Sequence, residues 1–319
     1  MPHKHQHDPL SIHAARSVSK RVDPSQTGAI RRRAMAEFRK RLKALAPELR
    51  DWLDAHGRDN APTTNNAKSA MREDLEALLY SFLVDPGPKG NGRKSIRHGR
   101  LTANAAATLY PSGVTKPVDP PSFLVGPKEK TWLDPHTDKA FRDGMIKAYE
   151  QLGGEAKTGV SQYAWLERAA ENKNTLRQFE KLRANVNEGL HATTNKIADR
   201  AIQAALNPPE GKTKSEIVNG LLERAQWEID RVVNTEATRA NALGVLAGMR
   251  VMDKNRVRAE VEFCTAGDDD VCPDCEEMEG YSYDLKEAED MIPVHPNCRC
   301  TWVPAPDEPY EGDTETELD

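Results

Sequence analysis

Residues 213–250 read TKSEIVNGLLERAQWEIDRVVNTEATRANALGVLAGMR, and this stretch decides the fold class. Thr213 and Glu216 stand at the spacing of a capping box, in which each side chain hydrogen-bonds the backbone N–H of the other residue. Downstream, apolar residues recur every three or four positions, as they do on one face of a helix. The stretch therefore predicts a long helix whose apolar positions are Ile217, Leu221, Leu222, Ala225, Ile229, Val232, Val233 and Leu243.

Helical periodicity also covers much of the chain before residue 213. One helix is predicted over residues 30–55, where Pro47 marks either a kink or the start of a second helix. A second helix is predicted over residues 67–84 and a third over residues 140–152. Residues 162–206 are predicted to form one helix or a helix pair.

The pattern changes after residue 250. Residues 258–264 and 300–303 are predicted to be strands, with a short helix over residues 284–291 between them. The fold class predicted is mainly α, built of helical hairpins, with a small C-terminal α+β module resembling a zinc knuckle. The predicted division is a disordered tail (1–27), a basic helical region (28–84), a Pro/Gly-rich linker or arm (85–134), a helical part (135–252), a Cys/His module (253–304) and an acidic disordered tail (305–319).

Composition excludes several classes of protein. The chain has 319 residues, of which 38% are hydrophobic and 30% charged, and no run approaches the ~18 apolar residues that span a bilayer. The first residues lack the apolar stretch of a secretory signal. Four of the five cysteines crowd into residues 272–300, unlike the cysteines of a disulfide scaffold. We therefore expect a protein made in a reducing cytoplasm, with no membrane partner.

Charge is distributed unevenly along the chain. Residues 1–100 carry 20 Lys and Arg against 11 Asp and Glu, whereas residues 251–319 carry 5 against 21. The simpler interpretation is that these charged side chains only interact with solvent. The functional interpretation is that cations of the first helix neutralise DNA phosphates without reading sequence. The candidate DNA contacts are Arg31, Arg32, Arg33, Arg39, Lys40 and Arg41.

The strongest local signal is a cluster of thiol and imidazole ligands. Cys272 and Cys275 form a CPDC sequence, and after 19 intervening residues comes HPNCRC, with His295, Cys298 and Cys300. Two such pairs close a tetrahedron around Zn²⁺, for which these ligands are suited. We expect structural zinc on Cys272, Cys275 and His295, with Cys298 favoured as fourth ligand and Cys300 its rival. The alternatives are free or disulfide-bonded thiols, or a catalytic zinc.

A second polar motif lies inside the long helix. Thr235 and Arg239 share a face, and Glu236 is placed to pair with Arg239. Polar residues beside an apolar stripe commonly form an interhelical hydrogen-bond network, which is the role predicted here. The sequence has no phosphate-binding glycine loop, nucleophile elbow or catalytic triad, and we expect no enzymatic activity.

Taken in order, these motifs resemble the phage Mu F-like head morphogenesis family. The resemblance rests on NTEATRAN at 234–241, EFCTA at 262–266, CPDC at 272–275 and HPNCRC at 295–300. It covers residues 212–304 firmly and residues 141–206 more loosely.

The resemblance implies a non-enzymatic minor capsid protein of a tailed phage or prophage. Such a protein takes part in procapsid assembly at or near the portal, through the portal protein, the scaffold or the major capsid protein. It is packaged in the head with DNA, so its expected location is the virion, and the host cytoplasm during assembly. The alternative is a zinc-stabilised nucleic-acid-binding factor of the host cytosol.

Overall fold

The computed structural model describes residues 25–57, 64–84, 131–251 and 260–305. Most of the predicted N-terminal tail and of the Pro/Gly-rich linker, and nearly all of the acidic tail, lie outside the described residues. The described chain is mainly helical and ends in a small three-stranded sheet, which confirms the predicted fold class. None of the helices in the described ranges is long and apolar enough to cross a membrane.

Seven helices precede the sheet in these ranges, and side-chain caps explain several of their boundaries. Asn172 accepts hydrogen bonds from the backbone N–H groups of residues 174 and 175, and thereby divides the predicted 162–206 helix into a pair. Thr213 and Glu216 form the complete capping box. Pro47 lies inside one helix rather than between two. The helices are α1 (Gly28–His56), α2 (Asn65–Leu83), α3 (Asp134–Gln151), α4 (Gly154–Thr158), α5 (Gln162–Glu171), α6 (Lys173–Leu206) and α7 (Lys214–Arg250).

The C-terminal module consists of β1 (Glu260–Cys264), the short helix α8 (Pro273–Glu277), β2 (Ser282–Asp284), a 3₁₀ turn (Glu287–Asp290) and β3 (Thr301–Pro304). Its strands form an antiparallel sheet with the strand order β2-β1-β3. Phe263 on β1 pairs with Trp302 on β3, and both side chains are fully buried. Two of its strands were predicted, whereas β2 and α8 were not, and the predicted 284–291 helix is a single 3₁₀ turn.

Helix α7 is the centre of the fold. It contacts α1, α3, α5, α6 and β3, and nearly every residue from Glu236 to Met249 is buried. One continuous hydrophobic core runs from Ile30 on α1 to Trp302 on β3. The N-terminal helices α1 and α2 therefore belong to the same core as the C-terminal module, although 50 residues (84–133) separate α2 from α3 in the sequence.

Two glycines bring α3 and α7 into backbone contact. A Cβ atom at Gly244 would lie 2.0 Å from the carbonyl oxygen of Phe141, and one at Gly144 would lie 2.2 Å from that of Asn241. Both distances are far below van der Waals contact, so only glycine fits at these positions. The close approach holds the C-terminal half of α7 in the position where it meets the Cys/His module.

Candidate metal centre

The first two predicted ligands belong to the short helix α8. Cys272 is its N-cap residue, and its Sγ accepts a hydrogen bond from the backbone N–H of Cys275 at 3.4 Å. Pro273 follows in the first turn, where a missing N–H costs nothing. This arrangement turns both sulfur atoms to the same side of the chain. Cys275 is buried, and Cys272 is partly exposed.

The other ligands come from a tight turn before β3. The backbone N–H of Cys298 donates to the carbonyl of His295 at 3.1 Å, and Asn297 adopts a left-handed conformation with φ 65°, which asparagine tolerates better than most residues. Nδ1 of His295 lies 2.9 Å from the carbonyl oxygen of Pro296. Because a carbonyl only accepts, Nδ1 carries the proton, and Nε2 presents a lone pair.

That lone pair faces the sulfur atoms. Nε2 of His295 lies 3.1 Å from Sγ of Cys272 and 3.3 Å from Sγ of Cys275. Sγ of Cys275 also lies 4.0 Å from Sγ of Cys298. Two triads result, Cys272–Cys275–His295 and Cys275–Cys298–Cys300, and within each triad the ligand atoms lie within 4.8 Å of one another. All five predicted ligands thus meet in one place, here called the Cys/His cluster, and its thiol and imidazole donors form a plausible metal site.

The three buried thiols share negative charge unequally. A hydrogen bond with Cys300 lowers the pKa of Cys298 to about 5, although burial opposes the shift. Burial raises the pKa of Cys275 to about 12. The pKa of Cys300 is raised by its hydrogen bond to Cys298 and by burial. These opposite shifts favour negative charge on Cys298 over Cys275 and Cys300, and a bound cation would stabilise thiolates at the other two positions as well.

Three polar side chains of α7 hold the chain around this cluster. Thr235 Oγ1 accepts a hydrogen bond from the backbone N–H of Asn297 at 3.1 Å. Thr238 Oγ1 donates to the carbonyl of Cys298 at 2.8 Å. Asn241 Oδ1 accepts from the hydroxyl of Thr301 at 3.3 Å. We call Thr235, Thr238 and Asn241 the docking face of α7, because together they fix residues 297–301 against the helix.

The predicted polar network is present in a different form. Glu236 and Arg239 pair with each other at 3.0 Å within α7, while Thr235 bonds to the ligand-bearing turn and not to another helix. Burial raises the pKa of Glu236, and Arg239 partly offsets that rise. Thr238 and Asn241 were missed by the sequence reasoning, although both belong to the NTEATRAN motif. Their three- and six-residue spacing from Thr235 was the available signal.

The loop before Cys272 is tied to the same turn. Arg299 forms two hydrogen bonds with the carboxylate of Asp268, at 2.5 and 2.7 Å, and lies 3.9 Å from Asp270. The hydrogen bond from Arg299 holds the pKa of Asp268 below its ordinary value. The loop before Cys272 and the turn that carries His295 and Cys298 are thus held together by this ion pair, in addition to the non-covalent contacts among the Cys and His side chains.

The predicted DNA contacts fall into two groups. Arg31 and Arg41 are engaged by the protein itself: Arg31 donates to Thr238, and Arg41 pairs with Glu37 at 3.0 Å and stacks over Trp132. The other predicted contacts are exposed on the outer side of α1, together with Lys43. We call this outer side the basic face, formed by Arg32, Arg33, Arg39, Lys40 and Lys43.

Comparison with protein families, with curated proteins and with solved structures found no match to the chain.

Proposed function

We propose that the chain is a minor head protein of a tailed phage or prophage, of the Mu F-like head morphogenesis class. The observation that carries the proposal is that the motifs behind the resemblance contact one another. Thr235, Thr238 and Asn241 of NTEATRAN bind residues 297–301, which include most of HPNCRC and the residue after it. Residues far apart in sequence thus form one structural unit, which supports reading them together as a signature.

In this proposal the Cys/His cluster binds one structural Zn²⁺. With Zn–S bonds of about 2.3 Å and tetrahedral angles, two ligated sulfurs lie about 3.8 Å apart. The 4.0 Å between Cys275 and Cys298 is close to that spacing, and Nε2 of His295 lies beside the sulfur atoms of Cys272 and Cys275. Zinc here would stabilise a module whose described strands have only three to five residues.

We assign the fourth ligand position to Cys298. His295 and Cys298 are joined by the backbone hydrogen bond of their turn, as Cys272 and Cys275 are joined by theirs. The site then consists of two matching turns with two residues between each ligand pair. Cys300 lies beside the site and supplies the hydrogen bond that Cys298 accepts.

The basic face of α1 gives this protein a means of contacting packaged DNA. Its side chains are exposed, and lysine and arginine on one helical face bind phosphates without base specificity. Partners during assembly would be the portal protein, the scaffold or the major capsid protein, and the protein would end in the head of the virion. No catalytic step is proposed.

Mass spectrometry of gradient-purified particles tests the proposal. We expect the chain in both procapsids and mature virions from an induced or infected host, at low copy number relative to the major capsid protein. A truncated variant that ends at Arg250, and so lacks the Cys/His module, should be missing from the particles. If the wild-type chain is abundant in the lysate but absent from both kinds of particle, the assembly proposal fails. The zinc-stabilised nucleic-acid-binding factor of the cytosol would then be the better account.

A further inference from the structure

The basic face of α1 has no ion-pair partner within the described ranges. Arg32, Arg33, Arg39, Lys40 and Lys43 are all exposed, whereas Arg41 on the same helix is paired with Glu37. Five cations within about three helical turns repel one another, and a polyanionic ligand would relieve that repulsion. The basic face is therefore suited to a ligand that carries several negative charges along its length.

The chain itself carries such a ligand. Residues 306–319 read PDEPYEGDTETELD, with seven carboxylates and no lysine or arginine. The Cys/His module that precedes this segment is itself rich in acidic residues, so its surface repels the segment electrostatically. Charge complementarity thus favours the basic face over the nearer surface.

Residues 306–319 are long enough to reach the basic face from Ala305. Arg31, which directly precedes the basic face on α1, donates to Thr238, which in turn donates to the carbonyl of Cys298. Ala305, the last described residue, lies seven positions beyond Cys298, which limits its separation from that contact to about 25 Å. Fourteen further residues span up to about 46 Å when extended. The whole basic face is only about 17 Å long at 1.5 Å per residue.

We infer that residues 306–319, here called the acidic segment, bind the basic face of α1 within the same chain and compete there with DNA. A tethered ligand of this length acts at an effective concentration in the millimolar range, so even weak ion pairs keep it bound at low ionic strength. DNA, with its higher charge density, displaces the segment where DNA is concentrated, as inside a filled head, whereas dilute DNA does not. The competitive effect rests on the proposed DNA contact, but the intramolecular docking does not.

Two experiments on the full chain separate these parts. Zero-length carbodiimide cross-linking of the monomer at low salt, read by mass spectrometry, should join Lys40 or Lys43 to carboxylates of residues 307–319. The cross-links should disappear at high salt, and they should be absent when the seven acids are replaced by their amides. Lys181, which is exposed on α6 and paired with Asp290, serves as the control lysine and should give no link to the segment.

The second experiment measures DNA affinity at low salt for the full chain, a variant ending at Ala305 and the amide-substituted variant. Both variants should bind about tenfold more tightly than the full chain, and charge reversal of Arg32 and Arg33 should abolish the difference. Equal affinities for all three proteins, with no cross-links from Lys40 or Lys43, would overturn the inference and leave the proposed head protein intact. If none of the proteins binds DNA, the DNA contact fails, and the cross-links alone decide the docking.

Discussion

Thr238 donates a hydrogen bond to the backbone carbonyl of Cys298 at 2.8 Å, and its side chain is fully buried. The same hydroxyl accepts a hydrogen bond from Arg31. One side chain thus connects the first helix with the turn that carries the candidate metal ligands. Its position in the middle of the docking face explains why a threonine interrupts the apolar surface of α7.

Replacing Thr238 by valine keeps the shape of the side chain and removes both hydrogen bonds. The Thr238→Val variant should be about 1–3 kcal/mol less stable, because the buried carbonyl of Cys298 then lacks this donor and Arg31 lacks this acceptor. Urea denaturation followed by circular dichroism measures the difference. Thr238→Ser, which keeps the hydroxyl, is the control and should be destabilised much less. A valine variant as stable as the serine variant would show that the hydrogen bonds contribute nothing.

The two candidates for the fourth ligand can be separated by substitution. Cys298→Ser should purify with little zinc, whereas Cys300→Ser should keep nearly stoichiometric zinc, since Cys298 completes the two matching turns. Inductively coupled plasma mass spectrometry after gel filtration gives the metal content. Cys264→Ser is the control, because this cysteine lies outside the cluster. The opposite order of metal content would assign the site to Cys300.

Zinc removal should loosen the module and not the helices. Cys272→Ser, or treatment with a chelator, should expose residues 260–305 to limited proteolysis, because at the proposed zinc site the free energy of metal binding would also be free energy of folding. The helical signal in circular dichroism should change little, since α8 is only five residues long. Unchanged proteolysis of the module in the Cys272→Ser variant would contradict a structural role for the metal.

The contact between α3 and α7 makes a strong prediction at Gly244. A Cβ atom there would lie 2.0 Å from the Phe141 carbonyl, so Gly244→Ala must push the two helices apart and should cost about 3 kcal/mol or more. Gly220 lies on the same helix, and nothing approaches its Cβ position within 4 Å. Gly220→Ala should therefore stabilise the protein by about 0.5–1 kcal/mol. Thermal unfolding of the two variants should show shifts of opposite sign.

The pH dependence of stability has a definite sign at Glu37. Burial alone would raise the pKa of this carboxyl, but hydrogen bonds from His136 and Arg41 outweigh burial and hold the pKa below 4.5. Its stabilising contribution is therefore complete above about pH 4.5 and is lost as the pH falls through the lower folded value. Glu37→Gln should reduce stability at neutral pH and flatten the acid side of the profile. Glu48→Gln, an exposed change on the same helix, should leave that profile in place.

Among the cations of the described residues, those exposed on α1 should contribute most to DNA binding. Charge reversal of Arg32 and Arg33 in the chain that ends at Ala305 should weaken binding. It should also reduce the slope of the logarithm of affinity against that of salt concentration by about one for each phosphate that the variant no longer neutralises. Reversal of Arg168 and Arg177, exposed on α5 and α6, is the matched control. If both pairs weaken binding equally, the DNA-binding surface is diffuse and does not belong to α1.

Much of the architecture is local, and the sequence was sufficient for it. The capping box at Thr213 and the helical periodicity depend on residues a few positions apart, so their outcome is predictable. The Cys/His cluster was also predictable, because the spacing within CPDC and HPNCRC already determines which sulfur atoms share a turn. The short elements β2 and α8 have three and five residues, which is too few for periodicity to show.

The remaining features depend on contacts between distant residues. An arginine on the polar side of an amphipathic helix looks the same in sequence whether it meets solvent, as Arg39 does, or another part of the chain, as Arg31 does. Thr238 and Cys298 are 60 positions apart, so no spacing rule relates them. The sequence likewise does not reveal that Gly244 permits a close helix contact, since this role depends on where α3 packs against α7.

The burial of α7 from Glu236 to Met249 has a consequence for how the chain reaches its native state. A helical segment that is covered on nearly every side is fully shielded from water only after all its neighbours have packed against it, and these include α1 and β3, at opposite ends of the described chain. On the ribosome, the early helices must therefore wait for β3 to emerge before the segment is enclosed. We expect cooperative refolding in which this segment is fully enclosed only once β3 has docked, and an apolar surface on α7 that stays exposed during synthesis until residue 305 has emerged.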